Sequence, residues 1–204
     1  MVRTRRPAAL LLAVASLVLA VPANAGIGQF IGVDEYAYDP ATDTIAQPTL
    51  TYFLVFENHG GTTHSAVSDG GMFDTKAIAP DGSSQISIQG AGTYPYHCAF
   101  HPARMQGVFR VRPKASDTVV GVGASITLQI APDAIKTLYV HDVQRRRNGG
   151  EWNTLRHGTG ESAPTFSFQR AGEFEFRARS RIAFTEIRSG WSPVRKVTVL
   201  AASR

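Results

Sequence analysis

The sequence predicts an all-β chain folded as two successive β-sandwiches, and three observations carry that prediction. Apolar residues show little 3.6-residue periodicity, so amphipathic helices are not expected. Short apolar or alternating runs recur instead, broken by Gly, Pro, Asn and Asp, which is the spacing of sandwich strands and turns. The longest gap in that pattern, Pro113 to Gly123, is small and polar and divides the chain near Ala115.

The first 25 residues stand apart from both sandwiches. Arg3, Arg5 and Arg6 precede an apolar run from Ala8 to about Val21, followed by Ala23-Asn24-Ala25. A positive head, a short apolar run and an A-x-A site form an export signal cut after Ala25. The run is shorter than the roughly 20 apolar residues that a spanning helix needs, so no transmembrane span is expected in the mature chain. The mature protein is then exported to the periplasm, the extracellular space or the cell surface. Thr4-Arg5-Arg6 hints at twin-arginine export.

The predicted strands follow in order. In 26–115 they are Leu50–Phe56, Gln85–Ile88, Thr93–Cys98 and Val108–Val111. In 116–204 they are Ser125–Ile130, Leu138–Val143, Thr165–Phe168, Glu173–Ala178 and Val194–Leu200. Each half is long enough for a modest core of its own. The formal charge of +5 also divides. Residues 26–115 carry eight acidic and five basic side chains, and 116–204 carry eight and thirteen. Arg145-Arg146-Arg147 is the densest basic run and precedes a hairpin-type turn, Asn148-Gly149-Gly150. Two readings stay open for it, a solvated strand end or a docking site for an acidic partner or surface. Nucleic acid is not an expected partner of an exported chain without a further basic cluster.

The chemistry gathers around the one cysteine. In the segment 92–107, Cys98, His101 and Met105 follow the spacing C-x2-H-x3-M, and His64 lies 34 residues before the cysteine. Strand alternation puts Tyr94, Tyr96 and Cys98 on one face and Pro95 and His97 on the other. A short loop after Cys98 lets His101 and Met105 return to the same point. Thiolate and thioether are soft ligands that favour copper. Two histidines and a cysteine with a long axial methionine are the arrangement of a blue-copper electron-transfer site. Zinc is the chemical competitor, but a thioether is a poor zinc ligand. His59 and His97 are read as bystanders and Met72 as packing. His141 and His157 are read as structural or exposed.

On these residues, 26–113 resembles a cupredoxin of the plastocyanin, amicyanin and pseudoazurin group. The matching stretches are IGQFIGVDEYAYDPATDTIAQPTLTYFLVFEN, THSAVSDGGMFDT and GTYPYHCAFHPARMQGVFRV. The resemblance implies a Greek-key sandwich holding one type 1 copper ion, with His64, Cys98 and His101 as equatorial ligands and Met105 as the axial one. It also implies that the backbone of Ser65 helps to hold the cysteine sulfur. The loop from His101 to Met105 is one residue longer than the shortest form in such relatives. By resemblance, electrons pass through the edge of His101, where a redox protein partner would dock on a rim of Phe100, Pro102 and Ala103 with Arg104 beside it.

Four protein ligands leave the metal no open position, which disfavours catalysis. The chain also lacks the H-x-H pairs expected of a multicopper enzyme. The expected role is therefore a single-electron carrier, not an enzyme. The rival readings are a copper carrier or storage protein, and an interaction module with a structural copper.

Residues 116–204 resemble a fibronectin type III-like, immunoglobulin-related sandwich. The resemblance rests on the hairpin at Asn148–Gly150 with Trp152 after it, the alternating GEFEFRARS run and the closing SGWSPVRKVTV run. It implies a spacer or binding module, with Phe174, Phe176 and Trp191 in its core.

Overall fold

In a computed structural model of the chain, residues 27–45, 52–132 and 138–202 are described. The predicted export segment and its cut after Ala25 lie outside the described residues. Among these residues the secondary structure is all β, and no helix is long and apolar enough to cross a membrane.

Nine short strands occupy the first half and the junction. They are β1 (Ile27–Asp34), β2 (Ala37–Asp39), β3 (Thr42–Ile45), β4 (Tyr52–Asn58), β5 (Val67–Ser68), β6 (Ser83–Ile88), β7 (Gly92–His97), β8 (Gln106–Val111) and β9 (Lys114–Ala115). The first eight make two sheets, ordered β2-β1-β4-β6 and β3-β8-β7-β5. Two pairings are parallel, β1 with β4 and β3 with β8. Parallel neighbours cannot be joined by a tight turn, so the chain must cross between the sheets. One apolar cluster joins them, with Ile31, Leu54, Phe56 and Ile88 from one sheet and Tyr94, Tyr96, Phe109 and Val111 from the other. Alternation along β7 is strict, with Tyr94 and Tyr96 buried and Pro95 and His97 half-exposed. Gly107 on β8 lies opposite Tyr96, and a Cβ there would collide with the Tyr96 ring.

The second half contributes β10 (Val119–Gly121), β11 (Ser125–Gln129), β12 (Tyr139–Arg147), β13 (Asn153–Thr159), β14 (Thr165–Ser167), β15 (Gly172–Ile182) and β16 (Arg195–Leu200). Their sheets are ordered β10-β16-β15-β12-β13 and β14-β11-β9. A second apolar cluster fills the space between them, including Ile126, Leu128, Val143, Phe166, Phe174, Phe176 and Val197. The polar gap from Pro113 to Gly123 is not strandless. It holds β9 and β10, edge strands of two and three residues, too short to show alternation. Phe174 and Phe176 are core as expected, whereas Trp191 is half-exposed. Its ring is stacked between the guanidinium groups of Arg177 and Arg179, at 4.7 and 4.4 Å.

The two sandwiches meet at the start of β7. Thr93 and Gly190 exchange backbone hydrogen bonds of 3.0 and 2.8 Å, and the Ala91 N–H donates to Ile130 O at 2.6 Å. The Tyr94 hydroxyl donates to Gly90 O at 2.7 Å and reaches Ser180 Oγ at 3.2 Å. The strand that ends at the cysteine is thus gripped at its other end by the second sandwich.

Candidate metal centre

Cys98 follows directly on β7, and its inward alternation leaves it fully buried. A chain of backbone bonds folds the next residues into a tight loop. His101 N–H donates to Cys98 O at 3.0 Å, Met105 N–H to His101 O at 3.0 Å, and Cys98 N–H to Met105 O at 3.0 Å. This is why the C-x2-H-x3-M spacing brings all three residues to one place. Pro102 is compatible with the turn because its missing N–H is not needed there.

His64 arrives from a different part of the sandwich. Its backbone pairs with Ile78 in both directions, at 3.1 and 2.7 Å. Buried Asn58 clamps the preceding loop by donating Nδ2 hydrogens to Thr62 O and Ile78 O, at 2.8 and 2.9 Å.

The three side chains converge. Cys98 Sγ lies 3.8 Å from His64 Nδ1 and 3.7 Å from His101 Nδ1. One donor atom from each of the three residues lies within 4.8 Å of the others. Those separations test whether a metal fits. Metal–sulfur and metal–nitrogen bonds of about 2.3 and about 2.0 Å, spread evenly in a plane, put sulfur and nitrogen about 3.7 Å apart. The observed edges match a trigonal set of two nitrogens and one sulfur. The donors, one thiol and two imidazoles in a buried pocket, suit copper as well as any first-row metal. Met105 is fully buried on the same loop, within the first apolar cluster, which keeps its thioether out of water.

The surroundings orient the ligands, and no motif in the chain announced them. Thr62 Oγ1 lies 3.1 Å from His64 Nε2 and donates to Glu35 Oε2 at 3.2 Å. Glu35 Oε1 in turn accepts the N–H groups of Gly61 and Thr62, at 2.5 and 3.1 Å. A carboxylate–hydroxyl–imidazole chain therefore points His64 Nδ1 inward, the role that outer partners play for ligating histidines. The neighbour of Glu35, Tyr36, stands edge-on to the His101 ring at 4.9 Å between centroids, and Arg104 lies 5.5 Å over the Tyr36 ring. Tyr36 has a left-handed backbone, φ 66°, which for a bulky residue is uncommon and marks a turn with a task. The cue in the sequence is only the EYAYD run between β1 and β2.

Burial holds the His64 pKa below its ordinary value, with the Glu35 carboxylate acting against the shift and His101 reinforcing it. A neutral imidazole is the form that binds metal. Ser65 also brings its side chain to the sulfur. Its hydroxyl faces the sulfur at 3.9 Å, and the same Oγ accepts the Ala99 N–H at 2.9 Å. Its carbonyl accepts the Tyr38 hydroxyl at 2.5 Å.

The other histidines stay away from this cluster. His59 is exposed beside Asp34 and Glu57. His97 points to the opposite face and pairs with Asp69 at 2.6 Å. Met72 packs against the first core. His157 is exposed beside Asp142. His141 is not exposed at all but fully buried.

No family model matches the sequence, and no curated protein matches it. Solved structures do. An amicyanin variant in its reduced Cu(I) form at pH 4 is 18% identical, over 47% of this chain and 87% of that one, with a TM-score of 0.36. A fibronectin type III domain of a human protein is 17% identical over 45% of this chain and 73% of its own, with a TM-score of 0.35. A multicopper oxidase is 17% identical over 85% of this chain and 88% of its own, with a TM-score of 0.34. At such scores the case for the site rests on its own geometry.

Proposed function

We propose that the chain is a copper protein of the cupredoxin kind that carries single electrons. One copper ion would be held by His64, Cys98 and His101, with Met105 as axial ligand. The observation that carries the reading is the buried Cys98 sulfur, 3.7–3.8 Å from one nitrogen of each of two imidazoles. Bound there, copper would supply a Cu(I)/Cu(II) couple whose potential depends on the axial ligand and on the bonds around the sulfur. The protein would hold the ligands still between oxidation states. The backbone-bonded loop 98–105 fixes three of them, and the Glu35–Thr62 chain fixes the fourth.

The route in and out would be His101. It is the one of the three clustered ligands that is not fully buried, and exposed Phe100 and Tyr36 flank it. A redox protein partner with an apolar contact face suits that rim, and Arg104 adds a charge that selects among partners. An enzyme is disfavoured because the ligand set leaves no open position. Among the described residues, His64, Cys98 and His101 are also the one group of three or more such donors. The division into 26–115 and 116–204, with the second part as a spacer, and export after cleavage at Ala25 belong to the same proposal.

The test is to load the purified protein with Cu(II). An intense visible thiolate-to-copper band is expected, lost on reduction and absent in Cys98→Ser. No band in the parent protein would sink the reading. Copper carriage or storage is the rival role. Rapid loss of copper to a chelator would favour it, and retention through repeated redox cycles would favour electron transfer.

A further inference from the structure

The second sandwich opens at one end between its two sheets, and the opening is cationic. Alternate residues of a strand share a face. On β12, Val143 is fully buried in the core, and Arg145 and Arg147 continue the same series. They lie opposite Phe176 and Phe174 of β15, at positions where the pattern calls for apolar side chains. With Arg146 and with Arg170 on the facing β14–β15 connection, they line a cavity of about 360 Å³ that includes Phe168 and Phe174.

Of the arginines at this cavity, Arg146 is compensated by a carboxylate, and Arg145 and Arg147 are not. Arg146, at the rim, pairs with Glu175. Arg145 instead lies 5.3 Å over the Phe174 ring. Arg147 donates Nε and Nη2 to Ala171 O, at 3.0 and 2.6 Å, which fixes the guanidinium without neutralising it. Among the described residues no Asp or Glu lines the cavity. Burial pulls the Arg145 pKa below its ordinary value, as for a cation that has lost water and gained no carboxylate. Arg145 is half-buried, and Arg147 stands exposed at the mouth.

We infer that this cavity binds a small oxyanion ester, a phosphate or sulfate carried on an apolar or aromatic group. Guanidinium forks match such oxyanions in a bidentate way that ammonium groups do not. The aromatic rings offer a surface for the group that the ester carries, and the volume is in the usual range for small-ligand sites. The cavity shares no residue with the metal centre, so the two proposals stand or fall separately.

The experiment is calorimetric titration of the full mature protein with phenyl phosphate and phenyl sulfate, and with inorganic phosphate as the smaller probe. Saturable binding is expected, tighter for the phenyl esters and weaker as salt is added. Arg145→Gln and Arg147→Gln should each weaken it by about tenfold or more. Arg188→Gln, which removes the same charge elsewhere on the sandwich, beside exposed Glu186, should leave it unchanged. Thermal unfolding of each variant checks that it folds, and exposed Arg147 keeps the test alive if Arg145→Gln does not. Co-sedimentation with anionic lipid vesicles separates the sources of the ester. Competition by phenyl phosphate would place a lipid headgroup in the cavity, and binding of the free ester alone would mean a soluble ligand. No saturable binding of any probe, or equal weakening in Arg188→Gln, would overturn the inference.

Discussion

His64 and His141 are both fully buried, one in each sandwich, and burial lowers the pKa of both. Their company differs. His64 turns one nitrogen to the Cys98 sulfur and anchors the other on Thr62. His141 has Nδ1 at 3.2 Å from Ser180 Oγ, and its Nε2 has no partner among the described residues. Burial alone therefore does not make a metal site. A metal site needs a second and third donor converging at the right separation and an outer shell that orients the first. The second sandwich uses its polar residues differently, in ion pairs such as Arg179–Asp142 at 2.8 Å and in stacks of arginine on Trp152 and Trp191.

The largest effect expected from this contrast is on the metal. Cys98→Ser should abolish the visible copper band, whereas His141→Gln should leave it intact. If both abolished it, the division of labour between the two histidines would be broken.

Acid stability should show the reverse. The His141 pKa falls from its ordinary value of 6.5 to about 4, mainly through desolvation. A depressed histidine binds its proton more readily when the chain is unfolded. Its contribution is therefore present above the unfolded pKa and lost as pH falls towards the folded one. Roughly 3 kcal/mol of stability should disappear between about pH 6.5 and pH 4. Denaturant midpoints measured across that window should flatten in His141→Gln relative to the parent.

A smaller effect sharpens the role of the outer shell. Thr62→Val removes the hydroxyl between Glu35 and His64 and should weaken copper affinity by about 10- to 100-fold. The metal-free protein should lose about 1–3 kcal/mol of stability as well, because buried His64 Nε2 loses that partner. The smallest effect lies at the junction. Tyr94→Phe removes the hydroxyl that reaches both Gly90 O and Ser180 Oγ and should cost about 1–2 kcal/mol. The copper spectrum should be unaltered, because this end of β7 is remote from Cys98.

The sequence made much of this legible. Cys98, His101 and Met105 could be read from spacing because one loop carries them, and backbone bonds within that loop depend on local geometry. Alternation put His97 on the wrong face, and its pairing with Asp69 agrees. Glu35, Tyr36 and Thr62 were not legible. The turn between β1 and β2 reaches the site only because β1 lies parallel beside β4, a pairing set by the whole sandwich. Trp191 read as core because tryptophan is apolar, but the arginines of β15 give its ring a place at the surface. β9 and β10 were invisible because strands of two or three residues show no period.

By itself, the sequence determined the all-β class, the short-strand pattern, the division of charge and the order of candidate donor side chains along the chain. Those properties are local, fixed by alternation, turn residues and the chemistry of single side chains. The tertiary structure alone decided which carboxylate steadies His64, what Ser65 offers the sulfur, that His141 is buried, and that Arg145 and Arg147 face into a cavity. Each of these depends on contacts between residues far apart in the chain, and such contacts exist only once the sheets have packed.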